Sequence, residues 1–104
     1  MNKIISISDY FKAIHHSNVV IYIKKQKDNS NLLIQLEDLA VDYTSLNVYF
    51  TTIDIEDFVY LKISCLTLEQ IPAFMFFKDG IEIYTTKGIN INIVEKIIQN
   101  YFLG

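Results

Sequence analysis

The chain has 104 residues, about half of them hydrophobic and including seven Phe and seven Tyr. That is enough for one domain to bury a core without metal or disulfide staples. A formal charge of −3 speaks against a general nucleic-acid binder, because such affinity rests on neutralising phosphates. A single cysteine excludes an intramolecular disulfide, and no His/Cys cluster has metal-ligand spacing.

The first run, Lys3 to Ile7, is β-prone, and Ser8-Asp9 follows as a helix start that places an acid near the exposed N–H groups. Phe11 and Ile14 then share one helical face. His15 and His16 are adjacent, so on a helix they diverge by about 100° and cannot chelate one metal. They read as surface or half-buried histidines near a helix end. The apolar run of this segment is too short, and too soon interrupted by Asp9 and Lys12, for a signal peptide. No run approaches membrane-spanning length. The expectation is a soluble protein of the cytoplasm or another intracellular compartment.

Val19 to Ile23, V-V-I-Y-I, is a buried strand of β-branched and aromatic residues. A polar segment, K-K-Q-K-D-N-S-N, leads to a helix from about Leu32, with Leu32, Leu36, Leu39 and Tyr43 as its apolar stripe and Leu33 and Ala40 widening it. Asp28, Asn29, Ser30 and Asn31 are all competent N-caps. Lys24, Lys25 and Lys27 form a basic cluster, which without a Gly-rich turn reads as a solvated loop rather than a phosphate site. Val48 to Ile55 is the next strand. Phe58 to Leu66 has as much strand as helix character.

Gln70 to Gly80, Q-I-P-A-F-M-F-F-K-D-G, organises the rest. Ala73 to Phe77 is continuously apolar, as in a strand covered on both faces, and Pro72 must stand at its first residue because it cannot donate to the ladder. Asp79-Gly80 is a two-residue hairpin signal. In the returning strand Ile81 and Ile83 alternate with Glu82 and Tyr84, giving one buried and one wetter face. Asn90 caps the last helix, with an Ile89/Val94 staple and a packing face of Val94, Ile97, Ile98 and Tyr101. No internal repeat, linker or low-complexity segment interrupts this single domain, 1–104.

The stretch I-P-A-F-M-F-F-K-D-G resembles the cis-proline strand and hairpin of the thioredoxin family, and the likeness extends over nearly the whole chain. The Asp54-Ile55-Glu56-Asp57 pattern is similar to the end of that family's third strand, although one residue more than usual separates the acidic pair from Pro72. The resemblance implies an α/β thioredoxin-like fold, β-α-β-α-β-α-β-β-α, with a mixed central sheet, helices on both faces, a cis Ile71-Pro72 bond and a helix over Phe58 to Leu66.

The family's Cys-x-x-Cys positions match Asp28-Asn29-Ser30-Asn31, none of which forms a thiolate. The tryptophan that usually precedes that motif is missing. The family's buried Asp and its companion Lys match Tyr22 and Phe50. These departures imply a redox-inactive module with no cofactor and no metal, no nucleic acid and no membrane, whose partner is a protein or peptide. Its binding face, carried over from the family, comprises Gln70, Ile71, Pro72, Gly88 and Ile89. Lys87 and Asp28 to Asn31 lie alongside, Ile71 and Ile89 give an apolar floor, and Lys25 and Lys27 form a basic rim. On that expectation an Ile71→Asp substitution removes binding and leaves the melting temperature little changed. The alternative is a divergent thioredoxin-type oxidoreductase acting in redox homeostasis through its one thiol, Cys65, which otherwise reads as a small apolar residue. A third reading is a regulatory subunit whose chemistry sits on another chain.

Overall fold

A computed structural model describes residues 1–25, 31–62, 70–88 and 90–103. The elements run β1 (Asn2–Lys3), α1 (Ile7–Ile14), β2 (Asn18–Lys24), α2 (Leu32–Thr44), β3 (Val48–Asp54), α3 (Ile55–Leu61), β4 (Ala73–Lys78), β5 (Ile81–Lys87) and α4 (Ile91–Ile97), which continues into a π-helical turn, Ile98–Phe102. The strands form one sheet in the order β1-β3-β2-β4-β5. β1 and β2 run parallel to β3, whereas β4 is antiparallel to both β2 and β5.

Strand alternation divides the core into two layers. Val20 and Tyr22 of β2, Phe50 of β3, and Phe74 and Phe76 of β4 face α2 and α4, where they pack with Leu36, Leu39, Val94 and Ile98. Val19, Ile21 and Ile23 face the other way with Met75 and Phe77, against Tyr10 and Ala13 of α1 and Phe58 of α3. A central strand covered on both faces has no polar alternation to show, which is why β2 and β4 read as unbroken apolar runs.

The hairpin is as the sequence predicts: Asp79 (φ +53°) and Gly80 (φ +83°) both adopt positive φ, the requirement of a type I′ turn. The stripe expected on α2 is also the buried one, Leu32, Leu36, Leu39, Ala40 and Tyr43.

Several local expectations are corrected. β1 is only two residues long, and Ser6 rather than Ser8 caps α1. Ser6 Oγ accepts from the Asp9 N–H at 3.1 Å, while Asp9 Oδ2 accepts from the Ile5 N–H at 3.2 Å, a reciprocal arrangement that ties down the first turn. The covered face of α1 is Tyr10, Ala13 and Ile14, leaving Phe11 outside. Ile55 opens α3 instead of closing β3, since Glu56 and Asp57 suit the positive end of a helix. That helix stops at Leu61, with Lys62 left-handed at φ +51°, and residues 63–66 lie outside the described ones.

Ile81 is 69% exposed rather than buried. A bulge at Phe76/Phe77 shifts the β4–β5 register there and breaks the alternation, so that only Ile83 packs on the core. At the C-terminal end the π turn widens the helical repeat, and Phe102 takes the buried place expected for Tyr101.

Candidate functional site: the mouth of β4

The C-terminal ends of β2 and β3 and the beginning of β4 meet at one end of the sheet. Ile23 of β2 faces Ala73 of β4, and Ala73 faces Lys87 of β5. Pro72 therefore stands between the outgoing end of β2 and the end of β5. The Ile71–Pro72 peptide is cis. Gly88, at φ +86° in a conformation L side chains rarely adopt, turns its N–H to the Pro72 carbonyl at 2.9 Å.

Of the residues expected at this face, Gln70, Ile71, Pro72 and Gly88 are thus brought to one end of the sheet. Asn31 begins α2 without a side-chain cap bond, its carbonyl accepting from Gln35 N–H at 2.9 Å. Asp28, Asn29, Ser30, Cys65 and Ile89, together with Lys27, lie outside the described residues.

One expectation changes here. Ile71 as a whole is only 3% exposed and belongs to the α1/α3 core layer, so it cannot be an exposed apolar floor. A charge at this position strikes the fold as well as any surface. The Pro72 carbonyl is likewise satisfied, by Gly88. At this edge the Ile71 N–H and C=O have no hydrogen-bond partner among the described residues. Pro72 and Gln70 are half-buried, and Gly88, Lys25 and Lys87 are exposed around that edge.

Behind the mouth the interior is aromatic. Tyr22 stacks on Phe74 with ring centroids 4.8 Å apart and planes 20° from parallel. Both are buried, as is Phe50 in the same layer. No buried acid stands at the position that the resemblance matches to a proton-moving Asp.

The charged group of this end lies elsewhere and was not evident as a group in the sequence. Asp54, at the end of β3, receives Lys24 from β2 and Lys3 from β1, with Nζ to carboxylate oxygen distances of 2.8 and 2.5 Å. Burial pushes the Asp54 carboxyl up, but Lys24 and Lys3 outweigh it and hold the group below its ordinary value. The hydrogen bond and charge of Asp54 raise Lys3 in turn. Lys24 is therefore engaged within the fold and is not part of a free basic cluster.

Among the described residues no group of three or more His, Cys, Asp or Glu is placed to hold a metal ion. His15 approaches the Phe11 carbonyl through Nδ1, and His16 stacks on Tyr49. No helix of the described residues is long and apolar enough to cross a membrane.

No family model and no curated protein matches the sequence. Solved structures do. Thioredoxin from Plasmodium falciparum superposes with a TM-score of 0.83, covering 97% of this chain and 99% of that one at 17% identity. The fold is that of thioredoxin. The thioredoxin Deadhead of Drosophila melanogaster (TM-score 0.78, 17% identity) and the thioredoxin of Fasciola hepatica (TM-score 0.74, 20% identity) each match over 97% of this chain and 99% of their own. On this thioredoxin fold the chain carries one cysteine and hence no Cys-x-x-Cys pair.

Proposed function

We propose that the chain is a thioredoxin-fold module without dithiol chemistry, which docks an extended segment of a partner protein at the mouth formed by Gln70, Ile71, Pro72 and Gly88. The observation that carries this reading is the Ile71 backbone edge at the head of a central strand, unpaired among the described residues. An N–H and a C=O with no bond among the described residues, beside the half-buried Gln70 and Pro72, suit strand-like pairing with a peptide, a mode of recognition that needs no thiol. The exposed Lys25 and Lys87 flank that edge and favour an acidic segment. The aromatic interior in place of a relay acid supports the loss of redox work, since burying an unused carboxylate is costly.

The test is affinity capture from the native cell, with mass spectrometry, using the wild type and a Lys25→Glu/Lys87→Glu variant. One complex recovered by the wild type and lost by the variant supports the module. Equal recovery by both sinks the site. Mixed disulfides trapped through Cys65 favour the single-thiol oxidoreductase instead.

A further inference from the structure

β5 ends the sheet on the side away from β1, with no strand beyond it among the described residues. It is open to solvent along its length: Ile81 is 69% and Tyr84 44% exposed, Glu82 and Lys87 are exposed, and Ile83, Thr85 and Thr86 are half-buried. The Gly88 N–H bonds the Pro72 carbonyl, so in the alternation of an antiparallel ladder Thr86, like Gly88, turns its backbone groups to β4. Thr85 and Lys87 turn theirs to the free edge, where no backbone bond reaches them among the described residues.

The bulge sets the spacing of side chains along this edge. Glu82 lies opposite Phe77, Thr85 opposite Met75 and Lys87 opposite Ala73. Those three partners are two residues apart on β4, so Glu82, Thr85 and Lys87 stand at even steps on one face, the one toward α1 and α3. Without the extra residue of the bulge, Glu82 would fall on the opposite face from Lys87. The acid and the base are then equidistant from Thr85 and about 13 Å from each other, too far apart to pair within one chain. Neither is in an ion pair among the described residues.

The edge is thus complementary in charge to itself. A twofold axis through Thr85, normal to the sheet, lays a second β5 antiparallel to the first and sets each Glu82 opposite the other copy's Lys87. Parallel pairing would set acid beside acid and base beside base, and a slip by two residues would lose both ion pairs. On the opposite face Tyr84 and Tyr101, ring centroids 6.1 Å apart and both nearly half exposed, offer apolar surface for the second copy to cover. A lysine and a bulge ordinarily guard an edge strand against pairing. Here the bulge aligns that lysine with its counter-charge. We propose that β5 is a self-association surface, at which two copies of the chain join their sheets edge to edge about Thr85, held in register by Glu82 and Lys87.

The test is the association state of the pure full chain under reducing conditions, by sedimentation velocity from about 10 μM to about 1 mM, with ¹⁵N amide spectra over the same range. A monomer–dimer equilibrium is expected, with concentration-dependent shifts centred on Thr85 and Lys87. Glu82→Lys and Lys87→Glu, both at exposed positions, should each weaken association by about tenfold or more, because each sets like charges opposite one another twice. An equimolar mixture of the two variants should recover the wild-type association, since every charge then meets its opposite, a recovery that a folding defect in either variant would not give. The proposal is overturned by a monomer at every concentration, by shifts centred on the Pro72 mouth, or by a mixture that associates no more strongly than the separate variants. Lys87 also flanks the mouth, but Glu82 lies at the far end of β5 from it and the pure chain contains no other protein, so this outcome is independent of the docking reading at Pro72.

Discussion

Tyr22 of β2 lies flat against Phe74 of β4, directly opposite it in the antiparallel register and within stacking distance. The two rings fill the centre of the α2/α4 layer, and both residues are fully buried. Tyr22→Asp should therefore cost about 3–5 kcal/mol, the usual range for an uncompensated buried charge. Tyr22→Phe, which keeps the ring, should cost only about 1 kcal/mol. Urea unfolding of the two variants checks the ordering, and equal losses would contradict the stacked arrangement.

The Asp54 group gives the chain a pH signature. A carboxyl held below its unfolded pKa contributes stability that is fully present above about pH 4 and is lost as pH falls through the folded pKa. Lys3, raised by the same contact, contributes stability that is present below about pH 10 and lost as pH rises through its own folded pKa. Asp54→Asn should flatten both limbs of the stability profile while lowering its neutral plateau. Chemical unfolding between pH 2 and 11 reads this directly.

Within the same group the two lysines should not be equivalent. The Lys24 side chain is mostly buried, whereas that of Lys3 is about half exposed. Lys24→Ala should cost about 2 kcal/mol by weakening the compensation of a buried carboxylate, and Lys3→Ala clearly less, because solvent screens an exposed pair. A larger loss at Lys3 would contradict this assignment.

The hairpin offers a backbone test. A Cβ at Gly80 would meet only the Ile14 carbonyl, at an ordinary 3.9 Å, so space is not the obstacle. The obstacle is φ at +83°, and Gly80→Ala should cost about 1–2 kcal/mol through conformation alone. Asp79→Asn, a residue equally at home at positive φ, should be close to neutral in thermal unfolding.

The proposed loss of redox work is tested by insulin reduction with dithiothreitol as donor. No acceleration above the uncatalysed rate is expected. Installing cysteines at Asp28 and Asn31 should permit a disulfide and still give a poor reductant, because Tyr22 moves no proton. A rate comparable to that of a dithiol thioredoxin, abolished by Cys65→Ser in the unaltered chain, would establish the single-thiol reading.

Much of the fold is written in local pattern. The β-branched and aromatic runs Val19–Ile23 and Ala73–Phe77, the stripe on α2, the Asp79-Gly80 turn and the Asn90 cap, whose Oδ1 accepts from the Asn92 N–H, each depend on residues within one or two turns of chain. The missing dithiol needs only a count of cysteines. Periodicity tells which residues share a face but not whether another element covers it. Only the packing of β4 against the α1/α3 layer put Ile71 inside, and only the β-bulge left Ile81 outside. The π turn, which carries Phe102 rather than Tyr101 inward, likewise has no signal at helical spacing. Asp54, Lys24 and Lys3 come from three strands, and their meeting is fixed by sheet order. Contacts between distant segments depend on how the layers stack, and no short stretch of sequence contains that information.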